Sequence, residues 1–271
     1  MNDASRLAEL VETWRQAIAE FVALARDVPE HQWDLPTDLP GWSVKDNVAH
    51  TAHLEAVLAG APEETTPVEE GGHVSGLAAL YTEQGVVARR GRDMASLADE
   101  LEEAAAKRSA ALDAEPPTDG SSPPPKTPGD VPWSTERLLS NRPIDVWMHE
   151  QDIRRAIGRP GGFDTAAARH TVAEFGVALP MVVGKRVKPS AATTIQVDVP
   201  DADESWTVRM GDDGRAAFVD TVDSPTVRIT LGIEDFIVLA GGRRRADATD
   251  PKIEGDVELG RAVLDNLAVT T

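Results

Sequence analysis

Hydrophobic residues recur every three or four positions through most of the first 160 residues, the spacing of one face of an α-helix. The pattern predicts four helices, over residues 4–28, 43–60, 75–114 and 135–157. Pro29 follows the first helix, and Gly158 and Pro160 follow the fourth, as residues that end helices. Ser43, with Asp46 three residues later, is expected to cap the second helix. Residues 1–160 are therefore predicted to form a four-helix bundle.

The periodicity changes near residue 161. A helix over 165–183 is followed by runs of alternating β-branched residues at 193–199, 205–210, 215–219 and 226–231. Gly211-Asp-Asp-Gly214 predicts a hairpin turn between the second and third runs. Two more helices are predicted, over 233–240 and 260–267. Residues 161–271 should thus form a small α+β domain with a mainly antiparallel sheet, and the whole chain an α+β protein of two domains.

Charge narrows the classes of partner. The net charge of −19 and the pI near 4.6 give a surface that repels phosphate backbones and anionic membranes, so neither nucleic acid nor membrane is expected as a partner. No run of 18 apolar residues and no basic-then-apolar N-terminal signal occurs, which predicts a soluble, cytoplasmic protein. The sequence leaves open whether that protein is a monomer or a homodimer.

Cysteine is absent from the chain. Its absence excludes disulfides, cysteine-ligated zinc, iron–sulfur clusters and a thiol nucleophile supplied by the protein. Any thiol chemistry here must use a thiol brought from outside.

Asp145 and His149 lie four residues apart in the predicted fourth helix, so their side chains share one face. A carboxylate and an imidazole one turn apart make up part of many transition-metal sites, which need a third ligand from elsewhere. His50 is the candidate, because it is in line with the apolar residues of the second helix. His53, expected nearer the polar side, is a substitute candidate. Alternatively, Asp145 and His149 only stabilise their helix and His50 is a core histidine.

Two further segments allow two interpretations each. The Pro-, Gly- and Ser-rich residues 115–132 form either a mobile connection or a flap over a site on the fourth helix. Arg243, Arg244 and Arg245 form either a solvated turn or a contact for an anionic ligand.

Two motifs stand out: Leu39-Pro-Gly-Trp42-Ser-Val-Lys-Asp46-Asn-Val-Ala-His50 and Arg142-Pro-Ile-Asp145-Val-Trp147-Met-His149-Glu-Gln-Asp152-Ile-Arg154. Together they resemble the mycothiol-dependent maleylpyruvate isomerase family, whose members have DinB-like metal-binding four-helix bundles. The C-terminal half resembles the second domain of that family, which is related to sterol carrier proteins, at Leu231-Gly-Ile-Glu-Asp-Phe236, Ala240-Gly-Gly-Arg243 and Gly255-Asp256-Val-Glu-Leu259.

The resemblance implies a divalent metal, usually zinc, held by His50, Asp145 and His149. The family carboxylate is commonly Glu, so the shorter Asp145 must bring its helix closer to the metal. The family also has a catalytic arginine in the second domain that faces the site. Arg243 is the best match for it, with Arg244 and Arg245 as competitors.

The activity that the resemblance implies is that of a metal-dependent, mycothiol-using isomerase or S-transferase, with a metal-bound thiolate as nucleophile. Its partners would be mycothiol, a low-molecular-weight thiol, and a small electrophilic substrate, whose carboxylate, where it has one, the second-domain arginine would hold. Two alternatives stay open. One is a non-catalytic metal-binding or small-ligand-binding protein of the same fold, and the other is a helical scaffold in which Asp145 and His149 are structural.

Overall fold

Five helices make up the first half of the chain in the computed structural model, which describes residues 2–270. They are α1 (Asp3–Asp27), α2 (Val44–Leu58), α3 (Gly76–Arg89), α4 (Met94–Ala114) and α5 (Thr135–Ala156). Helices α1, α2, α4 and α5 pack against one another as a four-helix bundle, and α3 packs against α2. The chain divides between Gly162 and Phe163 into two compact units, which we call the helical unit and the sheet unit.

The predicted helix over residues 75–114 is wrong in one respect, because it is two helices. It breaks between Arg89 and Met94, and Asp93 caps the start of α4 by accepting a hydrogen bond from the backbone N–H of Ser96 at 2.7 Å. The sequence hides this break because the residues between the helices are mostly charged and resemble the solvated face of one long helix. The consequence is that α3 is free to lie against α2 rather than continue along the bundle.

The other helix ends of this unit follow from local sequence. Ser43 and Asp46 form the expected capping box at the start of α2. Ser134 caps α5, which runs through Pro143 and ends before Gly158 in a left-handed conformation, φ 66°. Residues 115–132 are mostly irregular, and backbone groups of Gly120 and Ser122 join them to the start of α5.

The sheet unit contains helices α6 (Ala166–Val177), α7 (Leu179–Met181), α8 (Ile233–Ala240) and α9 (Val257–Asp265), with a π-helical turn at Val182–Val187. Its strands are β1 (Thr194–Val199), β2 (Glu204–Met210), β3 (Ala216–Val219), β4 (Val227–Thr230) and β5 (Lys252–Gly255). The strand order is β3-β2-β1-β4-β5, and only the β1–β4 pair is parallel. The prediction of a mainly antiparallel sheet is thus confirmed.

Three boundaries in this unit differ from the sequence prediction. The helix predicted over 165–183 is interrupted at Ala178, two residues before Pro180, a residue that no helix interior accommodates easily. Strand β5 was not predicted, because its sequence, Lys-Ile-Glu-Gly, has one apolar side chain. The last helix begins at Val257 because Asp256 caps it, accepting a hydrogen bond from Leu259 N at 3.0 Å.

None of the helices in the described part of the chain combines the length and the apolar composition that crossing a bilayer requires.

Candidate metal centre

Three side chains from two helices of the bundle meet inside the helical unit: His50 of α2, and Asp145 and His149 of α5. Each offers one atom within 4.8 Å of the atoms offered by the other two. His50 Nε2 lies 3.7 Å from Asp145 Oδ2, and His149 Nε2 lies 3.7 Å from Asp145 Oδ1. Both histidines are buried, whereas Asp145 is 23% exposed. Among residues 2–270 this is the one group of three such side chains close enough together to share an ion.

The orientation of His149 is set by its neighbours. Its Nδ1 lies 2.8 Å from the side-chain oxygen of Asn47 and 3.5 Å from Asp152 Oδ2. Because both neighbours accept hydrogen bonds, we assign a proton to Nδ1, which leaves Nε2 to face Asp145. This is the arrangement by which proteins hold a histidine for metal binding through Nε2.

The protonation states of the three side chains suit a cation. Burial lowers the pKa of His50 to about 4, so at neutral pH its imidazole is uncharged. Burial alone would raise the pKa of Asp145, but the Arg142 guanidinium and the two histidines outweigh burial and hold that pKa well below its usual range. Burial opposes the protonation of His149, yet hydrogen bonds to Asp145 and Asp152 raise its pKa. A metal ion would have to displace that proton, so its affinity should depend on pH.

The donor set fits zinc. Two imidazole nitrogens and one carboxylate oxygen are among the combinations that hold catalytic zinc, with a coordination position left for a further ligand. Asp145 Oδ2 is also buried without a hydrogen-bond partner among the described residues, although the ion-pair partner Arg142 Nη1 lies 3.0 Å from it. A bound metal ion would satisfy this buried carboxylate oxygen.

His53 does not join the cluster, and the expectation that it lies toward the polar side is wrong. Its side chain is 1% exposed. Helix α3 covers it, at a point where Gly85 leaves room for the ring: a Cβ at that position would lie 2.1 Å from the imidazole. Its Nδ1 is 3.5 Å from Arg89 Nη1. The substitute ligand is therefore separate from the three-residue cluster.

Trp42 covers the two histidines. Its ring centroid is 4.8 Å from that of His50 and 5.8 Å from that of His149. The indole N–H donates to Glu83 Oε2 at 2.8 Å, and Arg90 holds the other oxygen of Glu83 at 2.8 Å. The motif that contains Trp42 and His50 therefore supplies both a ligand and a rigid aromatic wall beside it.

The sequence prediction lacked three buried residues near the cluster, Asn47, Glu55 and Arg108. Glu55 is wholly buried and accepts hydrogen bonds from Arg108 at 2.8 Å and from Arg142 at 2.9 Å. One signal for it was available: Glu55 is the only charged residue in the apolar run from Leu54 to Leu58. For Arg108, which looks like part of a charged helix surface, the sequence carries no comparable signal.

Arg243 belongs to the sheet unit, in the turn after α8. Its guanidinium donates to the carbonyl of Gly241 at 2.8 Å. Arg243, Arg244 and Arg245 together line a cavity of about 370 Å³ beside Leu239 and Leu264. Arg243 is half-buried, whereas Arg244 and Arg245 are exposed. Its role as a catalytic residue stays a prediction.

Residues 14–154, just over half of the chain, match the family model of the mycothiol maleylpyruvate isomerase N-terminal domain. The chain belongs to this family. The family named from the sequence motifs is thus confirmed, and the expectation of an enzyme agrees with a family that takes its name from an isomerase. Residues 180–267 match the SCP-2 sterol transfer family, which accounts for most of the sheet unit.

Two solved structures share the fold of this family member. Both are crystal structures of the mycothiol-dependent maleylpyruvate isomerase, one of them a histidine-to-alanine mutant. Each is 14% identical to this chain with a TM-score of 0.56, and each alignment covers 93% of this chain and 96% of the other. At this identity the likeness establishes the two-domain fold alone. The search of curated proteins gave no match.

Proposed function

We propose that this protein is a metal-dependent, mycothiol-using isomerase or S-transferase that acts on a small electrophilic substrate. The observation that carries the proposal is the His50–Asp145–His149 cluster, within a chain that belongs to the mycothiol maleylpyruvate isomerase family. His50 and His149 would bind the metal through Nε2, and Asp145 through a carboxylate oxygen. A zinc ion held in this way supplies an open coordination position and lowers the pKa of a thiol bound there.

The protein's own residues prepare the site for that chemistry. His50 is neutral at physiological pH because burial lowers its pKa to about 4, so no proton competes with a metal there. Asn47 and Asp152 hold the ring of His149, and Trp42 shields one side of both imidazoles from water. Asp145, partly exposed, marks the side on which a ligand could approach.

The thiol must come from outside the protein, since the chain has no cysteine. When a thiol sulfur adds to one carbon of a carbon–carbon double bond that is conjugated with a carbonyl, the π-electron pair moves to the carbonyl oxygen, which takes the thiol proton as an enol. The bond between the two carbons of the original double bond becomes single. Rotation, followed by loss of the same proton and sulfur, gives the other geometric isomer and regenerates the thiol. If the sulfur stays attached, the product is a thioether, and the enzyme is an S-transferase.

Metal analysis tests the first part of this proposal. We expect about one zinc ion per chain in protein purified without a metal-binding tag, and loss of that zinc in His149→Ala, because that variant removes one of three ligands. His53→Gln serves as the matched control, since it alters a buried histidine of α2 outside the cluster. Mass spectrometry of the metal content decides the matter: no zinc in the wild type, and no tight uptake of added zinc, would exclude the metal site.

Thiol-dependent turnover separates the enzyme from the alternative, a non-catalytic metal-binding or ligand-binding protein. The wild type should act on unsaturated diacids or other electrophiles only when mycothiol is present, and His149→Ala should not. Zinc binding without turnover would favour the non-catalytic alternative.

Arg243 can be tested in the same assay. If its guanidinium binds a substrate carboxylate, Arg243→Lys should raise KM for a carboxylate substrate and leave the zinc content unchanged. Arg244→Lys and Arg245→Lys test the two competing arginines in the same assay, and a raised KM in one of them instead would assign the role to that residue. An unchanged KM in Arg243→Lys would remove Arg243 from the site.

A further inference from the structure

A buried guanidinium next to the candidate metal centre contacts two carboxylates, Glu55 through a hydrogen bond and Asp145 as an ion pair. Arg142 is 1% exposed and lies one turn before Asp145 on α5. Its Nη1 is 3.0 Å from Asp145 Oδ2, and its Nε donates to Glu55 Oε1 at 2.9 Å. We propose that Arg142, held by Glu55, is a positioning residue that fixes the carboxylate of Asp145 for metal binding. This inference rests on the proposed metal site and adds the residues that set its geometry.

The contacts of Asp145 show what such an anchor does. Oδ2, the oxygen nearest to Arg142, also lies 3.7 Å from His50 Nε2, while Oδ1 lies 3.7 Å from His149 Nε2. An aspartate has only two side-chain torsions, so holding one oxygen fixes the direction of the other. Arg142 therefore determines where both oxygens stand relative to the two imidazoles.

Arg142 is fixed in place because its partner Glu55 accepts hydrogen bonds from the three other helices of the bundle. Glu55 is fully buried and accepts hydrogen bonds from Trp14 Nε1 at 3.1 Å and from Arg108 Nη1 at 2.8 Å, in addition to Arg142. The Arg108 guanidinium also lies 4.5 Å from the centre of the Trp14 ring. Each bundle helix thus contributes one residue to what we call the Glu55 network: Trp14 of α1, Glu55 of α2, Arg108 of α4 and Arg142 of α5.

The charges of this arrangement balance. Arg108 and Arg142 bring two positive charges, and Glu55 and Asp145 bring two negative ones. Burying a charge without a partner is costly, so each group depends on the others being present. Within the described contacts, Arg142 alone of the two arginines contacts the candidate ligand Asp145. Arg108 binds Glu55 Oε2, the oxygen that Arg142 does not bind.

This asymmetry provides a matched pair of variants. Arg142→Met and Arg108→Met each remove one buried guanidinium from Glu55, but only the first removes the anchor of Asp145. We would measure zinc affinity by competition with a chromophoric chelator, the visible spectrum of the cobalt(II)-substituted protein, and thermal stability. The cobalt spectrum reports coordination geometry, which a loss of stability alone does not change.

Arg142→Met should weaken zinc binding about 10-fold to 100-fold, as removal of a group that orients a metal ligand does, and should alter the cobalt spectrum. Arg142→Lys, which keeps the charge, should recover part of the affinity. Arg108→Met should lose stability to a similar extent while keeping the zinc affinity and the cobalt spectrum of the wild type. If Arg142→Met does not fold, Glu55→Asp should give the altered spectrum instead, because it draws the carboxylate back from Arg142.

Two results would overturn the inference while leaving the metal site standing. One is wild-type zinc affinity and cobalt spectrum in Arg142→Met, or in Glu55→Asp if that variant takes its place. The other is an equal change of both quantities in Arg108→Met and Arg142→Met. A wild-type protein that binds neither zinc nor cobalt would overturn the proposed function itself, and this inference with it.

Discussion

The two units of this chain bury very different side chains. The interior of the helical unit contains ionisable residues throughout: Asp46, His50, His53, Glu55, Glu83, Arg108, Arg142, His149, Glu150 and Asp152 are all less than a tenth exposed. In the described part of the sheet unit, the buried polar residues are Thr171, Gln196 and Thr207, none of them charged. Its core is otherwise aliphatic and aromatic, with Trp206 stacked on Phe236 at a centroid distance of 5.6 Å.

The helical unit forgoes part of the stability that apolar packing would give. Replacing a buried ion pair by well-packed apolar residues often leaves a protein as stable or more so. The core of the sheet unit is packed in this way, with apolar side chains and no buried charge among the described residues. The helical unit is not packed in this way, and two of its buried charged residues, Arg142 and Asp152, lie against Asp145 and His149 of the candidate metal centre. The contrast itself supports the helical unit as the location of the reactive centre.

The largest expected effect comes from removing the charge at the centre of the helical unit. Glu55→Gln leaves Arg108 and Arg142 buried without their shared carboxylate, which should cost about 3–5 kcal/mol of unfolding free energy. Urea unfolding measures this loss. Glu9→Gln, the same change on the exposed surface of α1, is the control and should leave the transition midpoint in place. A loss below 1 kcal/mol, a limit we set from the usual effect of a surface ion pair, would show that the network is not needed for stability.

A second effect should appear on acidification. Burial, with a further contribution from Arg89, lowers the pKa of His53 to about 4 from its ordinary 6.5. Between these values the unfolded chain binds a proton that the folded one does not. Keeping His53 neutral therefore costs no unfolding free energy above pH 6.5. As the pH falls from 6.5 toward 4, the unfolding free energy decreases by up to about 3 kcal/mol because of this residue.

His53→Gln isolates that contribution, because the variant keeps the other buried acids and bases. Its unfolding free energy, measured in urea at pH 7 and at pH 4.5, should fall less between the two pH values than that of the wild type. Parallel curves for the two proteins would mean that His53 is not neutral in the folded state.

A smaller effect is expected in the sheet unit, where packing is the vulnerable property. A Cβ on Gly176 would lie 2.2 Å from the Trp206 ring, so Gly176→Ala must displace the ring at a cost of about 1–3 kcal/mol. Gly91→Ala, in the helical unit, meets open space and is the control. Trp206 is the one tryptophan between residues 163 and 271. The zinc content should not change in either variant. Loss of zinc in Gly176→Ala would contradict a metal site whose ligands all lie in the helical unit.

Much of the fold was predictable because its signals are local. A few adjacent residues are enough to predict three of its elements: the capping box at Ser43 and Asp46, the glycine turn before β3, and the apolar helix from Ile233 to Ala240. The break before Asp93 and the strand β5 were not predictable, since the residues of the break resemble a charged helix surface and β5, Lys-Ile-Glu-Gly, has one apolar side chain.

For the site, the sequence indicated which side chains meet but not what holds them. The spacing of Asp145 and His149, together with the interior position of His50, predicted residues that the structure brings within 4.8 Å of one another. Contacts such as Asn47 with His149 join residues 102 positions apart, and Glu55 with Arg142 are 87 apart. Such pairs depend on how the helices pack, which a single sequence does not state.

The Glu55 network also affects how the bundle opens. If one of its helices were to detach alone, it would leave a charged or hydrogen-bonded partner stranded in an apolar interior, so partial openings of that kind are disfavoured. The four helices should therefore open together, and the slowest-exchanging amide hydrogens on α1, α2, α4 and α5 should report one common opening free energy. A side chain that helps to orient a candidate ligand thereby also makes the surrounding helices a single cooperative unit.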